Sequence, residues 1–268
     1  MKADIWVLPS RERLHAAIGK GQLDVPIMPG TDGRGVKNAT GIIMSMHLMP
    51  EGTSSEPSSS HSESRFKRLR LLASYENGSV AMWQYRADKE RSVEGIGWAR
   101  CWTAKLHVES VMAMAVSIKY DFALSVSADH IIVRYDLAAL NIDANSVSTS
   151  CSAHRTKHPG NGSIVLRDDG RVCAVGGWDG KIRLYSTKTL KPLGTLVYHK
   201  DNAQALAWAR PADQSLKEEI KGQQTDLEFD SDDEMTAAEK ERRERWLVSG
   251  GKDGRVAIWE LMDFGGKR

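Results

Sequence analysis

Cysteine is scarce in this chain: Cys101, Cys151 and Cys173 are the whole complement, and no two form a C-x-x-C pair. That excludes a C-x-x-C motif, and an odd, sparse count fits a reducing compartment better than secretion. Charge of one sign is also lacking, since 37 Lys and Arg stand against 35 Asp and Glu for a formal net charge of +2. No global field therefore points to nucleic acid or acidic lipid as a partner. Long apolar runs are absent too. The stretch "VMAMAVSI" is far too short to cross a bilayer, and the opening "MKADIWVLPS" contains no apolar signal core. The expectation is an intracellular, soluble chain with no membrane contact. Phenylalanine is rare at four residues while tryptophan reaches eight, an aromatic balance that suits a repeat with Trp on its strands.

What is present is a repeated hairpin. "VSGGKDGRVAIWE" (Val248 to Glu260) places Asp253-Gly254 between alternating apolar residues. This is the pattern of a β-hairpin, and Asp-Gly suits the positive φ angles of a type I′ turn. The pattern recurs in "LLASYENGSVAMW" (Leu71 to Trp83), "LSVSADHIIVRY" (Leu124 to Tyr135) and "CAVGGWDGKIRLY" (Cys173 to Tyr185). Their turns are Asn77-Gly78, Asp129-His130 and Asp179-Gly180. The closing aromatics Trp83, Tyr135, Tyr185 and Trp259 follow one another after 52, 50 and 74 residues. A period of about 40 to 50 residues with several strands per unit indicates propeller blades.

A histidine precedes an alternating apolar strand in "LHVESVMAMAVS" and again in "YHKDNAQALAWA". Here the residues resemble the WD40 repeat family. The resemblance implies a buried hydrogen-bonded tetrad of His, Ser or Thr, Asp and Trp in each blade. The last repeat matches at all four positions: His199, Ser249, Asp253 and Trp259. The second offers His107, Ser125 and Asp129 with Tyr135 in place of Trp. The third keeps Asp179 and Tyr185, has Val175 in the Ser position, and offers only His154 or His158 as the imidazole. The first keeps Asn77 and Trp83, with Ala73 in the Ser position. A Ser/His/Asp set also invites a hydrolase reading. The blade-period recurrence, the built-in Trp donor and the absence of a G-x-S-x-G elbow argue for a structural brace and no catalytic residue.

The expected architecture is all-β: one WD40 propeller domain over 1–268, with about four full blades and a partial N-terminal blade, where the family ring commonly has seven. The partial blade spans 1–28, because "ADIWVLPSRERLHAAIG" lays over "IRLYSTKTLKPLGTL" as a blade's last two strands. A Ser-rich insertion at 29–65 contains one strand, in "TGIIMSMHL", and a polar tract that composition marks as a loop. Repeats follow at 66–104, 105–150, 151–197 and 198–264, the last interrupted by a charged insertion at 211–245. Setting the insertions aside leaves roughly 200 residues, between four and five blades. The expectation is a chain shortened at its N-terminus.

Other motifs resolve to bland readings. "RFKRLRLL" (Arg65 to Leu72) is the best basic cluster, but Leu69 and Leu71 alternate into a repeat strand, so a strand with a charged lead-in is expected. Gly19-Lys20-Gly21 and Gly95-Ile96-Gly97 lack phosphate-loop context and read as turns. The acidic run "DLEFDSDDE" (Asp226 to Glu234) lacks the central Gly of a calcium loop, and no histidines are spaced as metal ligands. No metal or cofactor site is expected. Ser231, followed by Asp232, Asp233 and Glu234, is a candidate phosphorylation site for an acidophilic kinase. Glu239 to Arg243 and Glu241 to Arg245 are i,i+4 pairs that predict a short exposed helix. Trp178, just before Asp179, is a candidate partner-binding anchor.

"DIWVLPSRERLHAAIG", the Ser-rich and acidic insertions and the closing "WLVSGGKDGRVAIWEL" resemble the ASTRA-associated protein 1 family of fungi. The resemblance implies a nuclear, non-enzymatic scaffold subunit of the ASTRA complex, with a role in chromatin remodelling. Its implied partners are RuvB-like ATPases, Tel-two-interacting proteins and phosphatidylinositol-kinase-like kinases, with no direct nucleic acid contact. The competing reading is a Gβ-like signalling propeller or a ubiquitin-ligase adaptor.

Overall fold

The structure, a computed structural model, describes residues 3–20, 40–50, 69–87, 89, 91–142, 147–209, 236, 239 and 242–264. It contains seventeen strands and two short helices among the described residues. The chain divides into two compact units, Met1–Ile164 and Val165–Arg268, with the division falling inside one strand, β11.

Unit 1 opens with an antiparallel hairpin of β1 (Ala3–Val7) and β2 (Glu12–Ile18). A four-stranded antiparallel sheet follows, in the order β3 (Ile43–Pro50), β4 (Leu69–Tyr75), β5 (Ser79–Tyr85) and β6 (Trp98–Lys105). The next sheet runs β7 (Val111–Val116), β8 (Phe122–Ser127), β9 (Ile131–Asp136) and β10 (Cys151–Arg155), with α1 (Leu137–Ile142) and α2 (Val147–Ser150) between its last two strands. β11 (Asn161–Leu166) leads the third four-stranded sheet, followed by β12 (Val172–Gly177), β13 (Lys181–Ser186) and β14 (Pro192–Val197). In unit 2 a three-stranded sheet follows: β15 (Ala203–Trp208), β16 (Trp246–Gly251) and β17 (Val256–Glu260).

Every residue of β4, β8 and β12 is buried. Strands covered on both faces lose the apolar/polar alternation of a half-exposed sheet. Within unit 1, β7 packs against β3 and β4, and Met49, Leu72, Val80, Met82, Val111, Met114 and Tyr135 share one core. Within unit 2, β15 packs against β12, and Val172, Ile182, Leu184, Trp208 and Leu247 form another. The N-terminal hairpin joins unit 1 through Ile18, Leu71, Trp83, Tyr85 and Trp98.

Two expectations are corrected. The outer strand of the second sheet is Cys151–Arg155, paired with β9 from Cys151↔Tyr135 to Arg155↔Ile131. The expected boundary between 150 and 151 thus falls inside a sheet, because the two helices lengthen that unit's final connection. The turns are also not type I′. Gly78, Gly180 and Gly254 have φ of 84°, 75° and 72°, while Asn77, Asp179 and Asp253 are not left-handed. Each glycine N–H bonds the carbonyl three residues back, on Tyr75, Gly177 and Gly251. That is a type I turn followed by a left-handed glycine, the three-residue hairpin loop. His130 has no left-handed φ, which is why the second repeat does without glycine there.

Candidate functional site

Each hairpin turn carries polar groups into the interior, and buried polar groups need partners. In the last sheet the turn after β16 brings Asp253 beside His199, which lies four residues before β15. His199 Nδ1 is 3.2 Å from Asp253 Oδ1 and its Nε2 is 2.8 Å from Ser249 Oγ. Trp259 Nε1 donates to the same Ser249 oxygen at 2.9 Å, and the Lys200 amide donates to Asp253 Oδ2 at 2.9 Å. The donor inventory limits the roles. Indole only donates and carboxylate only accepts. The imidazole meets Asp253 through Nδ1, and Ser249 Oγ, with one hydrogen and two lone pairs, serves both Nε2 and the indole N–H. The Lys200 amide, with help from His199 and the Arg255 amide, holds the Asp253 carboxyl below the ordinary carboxylate range.

That wiring matches a serine-hydrolase triad, but the nucleophile position is closed. Ser249 is fully buried and its oxygen already accepts a hydrogen bond from Trp259. Attack requires a free lone pair on an oxygen that a substrate can reach.

The second sheet repeats the geometry. His107 Nε2 lies 2.7 Å from Ser125 Oγ, His107 Nδ1 lies 3.2 Å from Asp129 Oδ2, and the Val108 amide donates to Asp129 at 3.1 Å. Tyr135 stands where Trp259 does, its hydroxyl 3.1 Å from Ser125 Oγ. Complete burial pushes the Tyr135 phenol up, which keeps it a protonated donor. Burial pulls the His107 imidazole down, and the opposing pull of Asp129 does not reverse this, so it stays neutral.

The other two repeats meet the same demand with other residues. In the third sheet the hydrogen bonds of Asp179 come from Lys181 and Arg183. His154 sits on β10 opposite Ile132, and His158 is exposed. Arg183 bonds both oxygens of Asp179 instead, at 3.1 and 2.6 Å, from a position paired with Val175. Burial alone would raise the Asp179 carboxyl, but Arg183 and the Lys181 amide outweigh it and hold it low. Tyr185, with a buried ring, takes the closing aromatic position. In the first sheet Trp83 Nε1 donates to the Tyr75 hydroxyl at 3.1 Å, and Asn77 caps its own turn through Ser79 at 2.6 Å. Tyr75 is the counterpart of Gly251. A Cβ at Gly251 would lie 2.5 Å from His199 Nδ1, so that site admits no side chain beside the imidazole.

A further buried imidazole was not singled out from the sequence. His15 on β2 is fully buried, with Nδ1 2.9 Å from Ser92 Oγ and its ring edge-on to Tyr85 and Trp98 at 4.5 and 5.3 Å. The connection between β5 and β6 pairs with β2 here, through Ala16 N to Ser92 O and Gly95 N to Ala16 O. Burial pulls His15 down as well. No repeat spacing marks it, since its partner lies 77 residues away.

Of the remaining candidates, Trp178 is 45% exposed at the tip of the β12–β13 hairpin. From the basic cluster, Arg70 is buried in β4 and bonds the Pro50 carbonyl, so it forms no surface patch; 65–68 lie outside the described residues. Ser231 also lies outside them, as does Glu241, while Glu239 and Arg243 pair at 2.5 Å. A cleft of about 180 Å³ is lined by Arg167, Asp168, Asp169, Glu244, Arg245 and Asp263. Arg167 is held there by Asp169 at 2.5 Å and lies over the rings of Trp208 and Phe264. Among the described residues no three His, Cys, Asp or Glu converge to hold a metal, and no helix is long and apolar enough to cross a membrane.

Comparison with known proteins assigns this arrangement. The WD domain, G-beta repeat, matches residues 147–186 and 219–260. ASTRA-associated protein 1 of Verticillium alfalfae is 28% identical over 97% of this chain and 56% of its own length. The protein of that name from Aspergillus niger is 27% identical over 72% and 50%. Mouse guanine nucleotide-binding protein subunit beta-like protein 1 is 30% identical over 72% of this chain and 45% of its own. The chain therefore spans about half the length of the curated relatives it matches. Among solved structures, Chaetomium thermophilum Sqt1 bound to the N-terminus of ribosomal protein L10 superposes with a TM-score of 0.51. That alignment is 19% identical over 71% of this chain and 42% of Sqt1, a likeness of fold. Hairpins pinned by His–Ser–Asp braces, four-stranded antiparallel sheets and these relatives together identify the chain as a WD40 β-propeller protein of the ASTRA-associated protein 1 family.

Proposed function

We propose that this chain is a non-enzymatic scaffold subunit of the ASTRA complex, acting in the nucleus in chromatin remodelling and in the assembly of phosphatidylinositol-kinase-like kinases. The observation that carries the reading is similarity to ASTRA-associated protein 1 along 97% of the chain. The buried braces support it. Their polar groups are spent on one another, so the blades offer rigid loops for docking while Ser249 is closed to attack. Partners on this reading are the RuvB-like ATPases, the Tel-two-interacting proteins and the kinases themselves, with Trp178 as one contact. No direct nucleic acid contact and no cofactor belong to it. Ser231 serves as a regulatory phosphate acceptor, and phosphopeptide mapping that returns only unmodified peptide there would remove that element.

A tagged chain purified from its own cells is expected to recover those ATPases, chaperone partners or kinases by mass spectrometry, with the tag's signal in the nucleus. Loss of recovery with Trp178→Ala at an unchanged melting temperature is expected for a contact residue. The second reading, a Gβ-like signalling propeller or ubiquitin-ligase adaptor, draws on the likeness to the mouse beta-like protein. Recovery of a Gγ-like helix or a cullin, without the ATPases and kinases, would establish it instead.

A further inference from the structure

The two units carry the same local framework at their hairpin tips and dress it with opposite chemistry. In unit 1, a Cβ on Gly78 would strike the carbonyl oxygens of His107 and Glu109; in unit 2, one on Gly180 would strike those of His199 and Asp201. The backbone frames therefore correspond position by position. Glu76 matches Trp178, Ser79 matches Lys181, Leu106 matches Tyr198 and Val108 matches Lys200. Relative to the brace carboxylates, Ala128 matches Lys252 and Ile131 matches Arg255. The unit 1 face thus has no cation at these positions, while the unit 2 face has four cations and two exposed aromatic rings.

The unit 2 residues are contiguous. Lys200 N bonds Asp253 at 2.9 Å, Lys252 N bonds the Asn202 carbonyl at 2.8 Å, and the Arg255 guanidinium lies 5.8 Å from the Tyr198 ring centroid. Trp178 and Tyr198 are 45% and 46% exposed, and all four cations are exposed. The nearby carboxylates are already engaged. Asp179 is held by Arg183, Asp253 by the His199 brace, and Asp201 caps Asn202 and meets Lys252 at 3.9 Å. Backbone geometry does not require this chemistry, because unit 1 builds the same frame without it. Exposure differs, since Ser79 and Ile131 are buried and Leu106 packs into the unit 1 core, whereas the unit 2 positions face solvent. Trp, Tyr and Arg are enriched where interface binding energy concentrates, and exposed cations steer and select a partner of opposite charge.

We infer that the face formed by Trp178, Lys181, Tyr198, Lys200, Lys252 and Arg255 docks an acidic segment of a partner protein, one whose carboxylates are interleaved with large apolar side chains. The carboxylates meet the four cations and the apolar groups cover the two rings. This rests on the scaffold reading and on Trp178 as its contact, and it supplies the chemistry of the partner. A nucleic acid fits less well. Asp201 and Asp253 interrupt the cations, whereas a phosphate backbone needs an extended basic track.

The test is fluorescence anisotropy on the purified full chain, using a labelled twelve-residue peptide of glutamates with two phenylalanines. Saturable binding that weakens with salt is expected. Trp178→Ala should weaken it about fivefold or more, and Lys181→Glu with Lys200→Glu about tenfold or more, the scale of interface hot spots. Val108→Glu, at the matching position of unit 1, should leave binding unchanged. All these variants alter exposed positions, and an unchanged melting temperature checks the fold. Equal binding of a lysine-for-glutamate peptide, indifference to both sets of substitutions, or equal competition by a twelve-nucleotide uridine RNA would each overturn the proposal. So would binding seen only after the acidic residues of 226–234 are changed to Asn and Gln, since the chain's own run would then be the occupant. Recovery of ASTRA partners from cells without peptide binding refutes the acidic-segment inference alone. Peptide binding without such recovery refutes the proposed function alone.

Discussion

The sheets containing Asp253 and Asp179 follow one another in the chain and face the same problem with different residues. Both hairpins turn through Asp-Gly, and in both the carboxylate caps amides within the turn. Around Asp253 the remaining demand is met from outside the hairpin, by an imidazole 54 residues away that also reaches Ser249. Around Asp179 it is met from within, by Arg183 four residues on. The matching strand partners make the exchange visible: Ser249 pairs with Ala257, whereas Val175 pairs with Arg183. The first sheet supplies a third answer, in which a tyrosine one pleat further on receives the indole proton. What is constant is that the polar groups are satisfied; the residue types vary because any donor with the right reach will serve. The consequence differs, though. An imidazole brace ties the turn to the preceding loop, while an arginine brace holds only its own hairpin.

Four experiments would break or sharpen that contrast. The largest effect is expected from Gly180→Ala, whose Cβ meets the His199 carbonyl at a φ of 75°. Left-handed strain and overpacking together should cost about 2–5 kcal/mol in urea unfolding. Ser249→Ala should come next, at about 1–3 kcal/mol, because it strands the Trp259 indole and His199 Nε2 in the interior. Val175→Ala, at the matching position, should also destabilise, but through the cavity left by a buried side chain and with no donor stranded.

The third experiment is acidification. His15 and His107 have folded pKa values below the unfolded value, about 6.5 for histidine. As pH falls below that value the unfolded chain gains protons that the folded chain does not, so stability contributed by the neutral imidazoles is lost. The slope is at most about 1.4 kcal/mol per pH unit for each histidine. Asp179 is held low, so its contribution persists above the ordinary carboxylate range and disappears as pH falls below about 3.9. Hydrogen exchange should therefore show β7–β9 loosening between pH 7.5 and 5.5, with the Asp179 contribution to β12–β13 lost only under stronger acid. The smallest effect is expected from Arg183→Leu. Asp179 stays 39% exposed and can be rehydrated, so the loss should be about 1 kcal/mol or less.

Much of this was legible in the sequence, for a local reason. A hairpin needs only its own turn and flanking strands, and the turns at 77–78, 129–130, 179–180 and 253–254 all lie between strands. The four residues of the last brace could be matched because each stands at a fixed offset from a strand or a turn. His15–Ser92 and Arg183–Asp179 could not be read that way. The first joins a hairpin to a distant connection, and the second replaces an apolar position that pattern alone treats as core. β10 was misassigned because two helices precede it, and its pairing with β9 depends on where they return the chain. Turn type was misread because Asp-Gly is compatible with both a type I′ turn and a type I turn with a left-handed glycine.

One surface shows where pattern stops. Val256 and Ile258 alternate like Val80 and Met82, yet they are 68% and 63% exposed while the latter pair is fully buried. Alternation specifies which side chains share a face; what covers that face is a property of the packed chain.

By itself the sequence determined the repeat, the hairpins and the identity of the groups in the last brace, because turn chemistry and strand periodicity act over a few residues. Only the tertiary structure decided which donor satisfies each turn carboxylate, where each sheet ends, and that cations gather around exposed rings on one unit and not the other. Apart from the Arg183–Asp179 pair, those outcomes depend on groups tens of residues apart being brought together, and no local preference encodes that.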